Sequence, residues 1–156
     1  CTYDPNYKMN PPLRSADDVQ ALRRAVADGT IDCLATDHAP HSKEEKEREF
    51  ALAPFGIISI ECALGLYAKA LVETALMDWP ELVARCTTGP AAVLGLEPAA
   101  LVKGAEADVT VFDPDAHWTV DVARFRSRSR NCPYDGWDLP APVEATIVGG
   151  KVVYQR

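Results

Sequence analysis

The hydrophobic positions change period along the chain. Over residues 15–28 they follow helical spacing, with Val19, Leu22 and Val26 on one face. Ser15 stands at the N-cap, Asp17 and Asp18 complement the dipole in the first turn, and Gly29 marks the stop. Ile31-Asp32-Cys33-Leu34-Ala35 is mostly apolar and predicts a buried strand, ended by Pro40, which has no N–H to give a ladder. From Ser59 to Met77 the chain is strongly apolar and predicts a single helix, with Leu64, Tyr67, Leu71 and Ala75 as a core stripe. Two short helices follow. One has Pro80 in its opening turn; the other starts at Thr88 or Gly89, before Pro90, and ends at Gly95. Near residue 100 alternation replaces helical spacing: 107–113 and 117–122 predict strands, and 143–154 predicts a β-hairpin turning at Gly149-Gly150.

The segments between are polar. Asp4-Pro5-Asn6 is a turn, and Asn10-Pro11-Pro12 forbids helix, leaving Lys8, Asn10 and Arg14 on a stiff loop open to ligand or solvent. The mixed-charge run 42–50 predicts a solvated helix turn or mobile loop. Gly56 permits close backbone approach, to a ligand or only within a tight turn. Residues 123–138, with arginines at 124, 126, 128 and 130, predict a loop, its alternating Arg and Ser an anion patch or, more commonly for such composition, a solvated surface. The first part is thus of α/β type and the last third all β. A complete (β/α)8 barrel takes about 250 residues, so the 156 here hold only the end of one.

Composition narrows the function classes. Hydrophobic residues make up 47%, ample for a core, and the net charge of −7 disfavours nucleic acid and anionic lipid as partners. An anionic ligand therefore has to be held by local groups. Cysteines stand at 1, 33, 62, 86 and 132 with no CxxC pair; Cys33, Cys62 and Cys86 read as small core residues, which favours a reducing cytoplasm. No signal pattern or long apolar span is present, and the start at Cys1 reads as that of an internal fragment.

The candidate chemistry lies in Thr36-Asp37-His38-Ala39-Pro40-His41, directly after the predicted strand, where active groups of α/β barrels sit. Two of the chain's three histidines fall here; the third is His117. One carboxylate and two imidazoles suffice to ligate a cation, move protons or hold an anion, and equally to cap a turn.

These residues also carry a resemblance. Tyr7-Lys8-Met9-Asn10-Pro11-Pro12-Leu13-Arg14, Gly29-Thr30-Ile31-Asp32, Thr36 to His41, Glu45-Lys46 and Ala53-Pro54-Phe55-Gly56 resemble the C-terminal part of bacterial type I dihydroorotases, of the amidohydrolase superfamily. Ala107 to Asp113, Arg130-Asn131-Cys132-Pro133-Tyr134 and Thr146 to Gly150 resemble that family's tail, with Cys132 and Tyr134 where Thr and Phe are usual. Pro-Pro-Leu-Arg is shared with hydantoinase-like and allantoinase-like relatives, whereas Met9-Asn10 together with His41 is more particular to dihydroorotases.

The resemblance implies the end of a TIM-like metal-dependent hydrolase barrel (residues 1–97), followed by strands of a small β-sandwich (98–156). It implies reversible hydrolysis of L-dihydroorotate to N-carbamoyl-L-aspartate at a binuclear zinc centre in the cytoplasm. Asp37 matches the zinc ligand that is also the catalytic acid/base. Asn10, His41, Phe55 and Gly56 match substrate-binding positions; His38 matches none. The remaining metal ligands of the family have no counterpart here, so the chain alone is expected to be inactive, with apolar surface at 31–36 and 59–76 left uncovered. A homodimer and an association with aspartate transcarbamoylase belong to the same implication. The alternatives are a hydantoinase, dihydropyrimidinase or allantoinase, or a metal-free dihydroorotase-like scaffold for aspartate transcarbamoylase.

Overall fold

A computed structural model describes residues 3–98 and 100–156. Cys1 lies outside the described residues. A 3-10 turn at Pro5–Tyr7 precedes helix α1 (Ala16–Ala27), whose Ser15 cap and Asp18 bond each other's backbone N–H groups in a capping box. Helix α2 (Lys43–Lys46) is a single turn capped in the same way by Ser42 and Glu45. Helices α3 (Ala63–Leu71), α4 (Trp79–Cys86) and α5 (Thr88–Leu94) follow, α4 with its proline in the first turn and α5 ending on left-handed Gly95.

The last third is antiparallel β structure. Strands β1 (Val109–Phe112), β4 (Val143–Val148) and β5 (Lys151–Gln155) form one sheet in the order β1-β4-β5, so β5 is an edge. Strands β2 (His117–Thr119) and β3 (Asp138–Pro140) form a two-stranded ribbon with His117 opposite Pro140. The β4–β5 hairpin turns at Gly149-Gly150, both at positive φ, as expected.

Four local expectations change. Residues 31–35 join no ladder among the described residues. Their backbone contacts go to helix ends instead, Ile31 N–H to the Ala25 carbonyl (2.9 Å) and Leu34 N–H to the Arg85 carbonyl (3.0 Å). An extended segment becomes a strand only beside another strand. The single contact of that kind is a parallel bridge between His38 and Ile57. The helix expected over 59–77 begins with a 3-10 turn at Ile60–Cys62 and stops at Leu71. There the Leu71 carbonyl accepts from both Leu76 N–H (3.0 Å) and Met77 N–H (3.2 Å), which folds the chain back and buries Met77. The strand expected over 117–122 ends at Thr119 and passes into a 3-10 turn at Val122–Arg124. Finally, β3 arises at the end of the predicted loop; Pro140 hides it in the sequence but is tolerated in a two-stranded ribbon.

Two buried clusters hold the molecule together. In the first, Ile58 and Cys62 pack with Val120, Val122, Phe125, Cys132 and Leu139. In the second, Val26 of α1, Ala68 and Leu71 of α3, Met77 and Leu82 of α4 pack together, with Ile31 and Leu34 against them. Gly65 is what lets α3 touch β3: a Cβ there would lie 2.9 Å from both the Leu139 Cβ and the Pro140 carbonyl. Cys62 and Cys132 are buried, while Cys33 and Cys86, expected in the core, are half-buried. Of the apolar surface expected at 59–76, Ile60 is exposed; Ile31 and Leu34 are covered in part by the second cluster.

Candidate functional site

Two short segments lie side by side at this surface, 37–41 and 54–58. The His38–Ile57 bridge joins them, with Ala39 N–H donating to the Ile57 carbonyl at 3.0 Å. Asp37, immediately before the bridge, is exposed and has φ 45°. Left-handed backbone is uncommon for a residue with a side chain, though Asp tolerates it better than most. Its carboxylate has no hydrogen-bond or ion-pair partner among the described residues, so both oxygens are open to a ligand.

His38 is turned to a structural task. Its Nδ1 accepts from Ser59 N–H (3.2 Å) and Ile60 N–H (3.3 Å), so the ring proton sits on Nε2. It thereby satisfies donors at the start of the 3-10 turn leading into α3.

His41 and the Phe55-Gly56 pair are brought together. His41 Nε2 lies 2.9 Å from the Phe55 carbonyl, which requires that nitrogen to donate, while Nδ1 faces the Glu45 carboxylate at 3.9 Å. Gly56 (φ 132°) lies against the same ring: a Cβ there would be 2.6 Å from the Ala39 Cβ and 3.1 Å from His41 Nε2. The close approach that Gly56 permits is therefore between two protein segments. The Phe55 ring is 52% exposed. Asn10 is exposed on its loop and makes no hydrogen bond with the other candidates. Its segment is tied to them through Gly56 N–H, which donates to the Lys8 carbonyl at 2.9 Å.

Two further residues shape this surface and were not singled out as functional from sequence. Lys46, in a run expected to be solvated, is 5% exposed, and its Nζ donates to the Pro54 and Gly56 carbonyls at 3.0 Å each. Burial, reinforced by the neighbouring Lys8 ammonium and opposed by Asp4, lowers its pKa from the usual lysine value. Lys8 plays the matching part, donating to the Ala51 (3.0 Å) and Ala53 (2.6 Å) carbonyls with its ammonium 4.7 Å from the Phe55 ring centre. The second residue is Asn131, whose side-chain amide donates to the Ala39 and Gly56 carbonyls. The sequence signal for Lys46 was its place in the Glu45-Lys46 pair of the resemblance; for Asn131 it was a lone amide before Cys132-Pro133.

The profile described as the amidohydrolase family matches residues 9–153. The chain belongs to the amidohydrolase family. Among curated amidohydrolase relatives, a dihydroorotase of Geobacter metallireducens is 50% identical over 154 residues, covering 99% of this chain and 36% of the relative. A dihydroorotase of Pelotomaculum thermopropionicum is 51% identical over 153 residues, covering 98% of this chain and 36% of the relative. Among solved structures, an L-hydantoinase (dihydropyrimidinase) from Arthrobacter aurescens superposes with a TM-score of 0.89 at 30% identity, covering 98% of this chain and 35% of that one. The chain thus spans little more than a third of the length of these relatives.

The donor set does not by itself make a metal site. No group of three His, Cys, Asp or Glu side chains among the described residues could hold an ion. His117 does not enlarge the set: its Nδ1 is 2.7 Å from Asp138 and its Nε2 3.7 Å from Glu73. Asp37, with a free carboxylate, fits one ligand position of a metal site and cannot make one alone.

Proposed function

We propose that the chain is the C-terminal part of a dihydroorotase, residues 1–97 closing a TIM-like barrel and 98–156 contributing strands to a β-sandwich. Its substrates in the whole enzyme are L-dihydroorotate and N-carbamoyl-L-aspartate, and its cofactor is a pair of zinc ions to which this chain gives only Asp37. The observation that carries the reading is about 50% identity to curated dihydroorotases across nearly the whole chain. The site supports it with an uncommitted carboxylate beside a fixed donor surface.

A divalent cation held with Asp37 as one ligand would supply Lewis-acid polarisation of the scissile amide and of the attacking water. The Asp37 carboxylate takes the proton from that water as the carbonyl carbon is attacked and returns it to the leaving amide nitrogen as the ring opens. The rim formed by exposed Asn10 and Phe55 with half-buried His41, backed by buried Gly56, holds the ring and its carboxylate. The Phe55 N–H, bonded to nothing among the described residues, is a free backbone donor on this rim. Local donors of this kind offset the repulsion between an anionic substrate and a chain of net charge −7.

Likeness to the L-hydantoinase fold favours a second reading, hydrolysis of hydantoins or dihydropyrimidines. Steady-state hydrolysis of dihydroorotate, hydantoin and dihydrouracil by the full-length protein separates them. Dihydroorotate is expected to be preferred, with Asp37→Asn lowering kcat by at least about a hundredfold, and dialysis against a chelator abolishing turnover. Preference for hydantoin would overturn the assignment.

A further inference from the structure

Among the described residues, Asn131 is the one side chain from outside the two segments that hydrogen-bonds both of them. It is 3% exposed. Its Nδ2 donates to the Ala39 carbonyl at 2.9 Å and to the Gly56 carbonyl at 3.1 Å, and its Oδ1 lies 3.3 Å from His41 N–H, which donates to it. Its own backbone carbonyl accepts from Ile58 N–H at 3.0 Å. Both amide hydrogens and the amide oxygen are therefore used, and the three groups they meet flank His41 and Phe55 on either side. A hydrophobic residue of the same size would leave the Ala39 carbonyl and the His41 N–H without this partner, while the Gly56 carbonyl would keep Lys46.

We propose that Asn131 is a positioning residue for substrate binding. It holds His41 and the Phe55-Gly56 backbone at a fixed separation, so that the His41 ring and the free Phe55 N–H meet the substrate together. The inference rests on reading those residues as substrate contacts. It also gives the C-terminal β region a part in the site: Cys132, next in sequence, anchors in the first core cluster with Val120, Val122 and Leu139. The placement of the amide is thus set by packing that joins residues 120–139 to Ile58 and Cys62. Asp37, which does the proton transfer, is not among its partners. Loss of the amide should accordingly weaken binding more than it slows chemistry.

The test uses the full-length enzyme with Asn131→Asp, which keeps the acceptor for His41 but turns an oxygen toward two carbonyls, and Asn131→Ala. Both are expected to raise KM for dihydroorotate about tenfold while kcat per active site, titrated with a tight-binding inhibitor, falls less than about threefold. A residue that only stabilises the fold would lower the active fraction and leave KM unchanged, and that result overturns the proposal. Should neither variant fold, hydrogen exchange on the wild type decides: slow exchange at the His41 amide supports the grip, and exchange at the rate of a free loop overturns it. The exchange measurement needs no turnover, so a wild type inactive on dihydroorotate would refute the assigned reaction while still testing Asn131.

Discussion

At the scale of single residues, Lys46 shows how far burial departs from composition. Six charged side chains surround it in sequence between 43 and 49, and all are exposed, yet its own ammonium is inside, donating to two carbonyls with no carboxylate bonded to it among the described residues. Its pKa is lowered, above all by desolvation. The sign of the consequence follows from linkage. Between the lowered folded value and the ordinary value of 10.5, the unfolded chain keeps a proton that the folded chain has shed. Stability contributed by this site therefore rises with pH across that window. Denaturant unfolding of wild type and Lys46→Met is expected to give a stability difference that moves in favour of the wild type as pH climbs toward 10.5. A difference independent of pH would show that Lys46 titrates normally. The sequence made Asp37 and His41 visible because short clusters of titratable groups stand out. Lys46 was hidden because nothing in a run of alternating charges says which one turns inward.

Among elements, the join between the 3-10 turn before α3 and the arginine-bearing loop matters most to the site. The Glu61 carboxylate accepts from the backbone N–H of Arg126 (2.8 Å) and of Ser127 (3.0 Å). Arg130 then folds its guanidinium onto the Ser127 and Ser129 carbonyls. The loop that read as solvated is therefore clasped, and its last turn delivers Asn131. Glu61→Ala is expected to cost about 1 kcal/mol, since both bonds are charge-assisted but exposed. Hydrogen exchange over 125–131 should quicken with it; unchanged exchange would mean the loop holds itself. Capped helices and the Gly149-Gly150 hairpin were legible because their signals are local: a Ser three residues before an acid, two glycines between alternating strands. The strand at 31–35, the end of α3 and β3 were not, because each depends on a partner distant in sequence. A ladder needs a neighbour, Met77 turns back to reach Leu71, and β3 exists only because β2 lies beside it.

Over the whole molecule, the first core cluster draws Ile58 and Cys62 from the helical part and Val120, Phe125 and Leu139 from the β part. The two portions therefore share packing as well as the Asn131 amide. The three-stranded sheet has a different character. β5 bonds only to β4 among the described residues, and Val152 and Val153 on it are 61% and 51% exposed. Such a margin is sticky: unmated peptide groups alongside bare valines offer a landing strip for a like strand from another molecule. Sedimentation of this polypeptide by itself is expected to reveal reversible clustering that grows with concentration, and Val152→Lys should suppress it. A segment lying over it would also quiet that margin, so the amount of clustering measures how well β5 is sheltered.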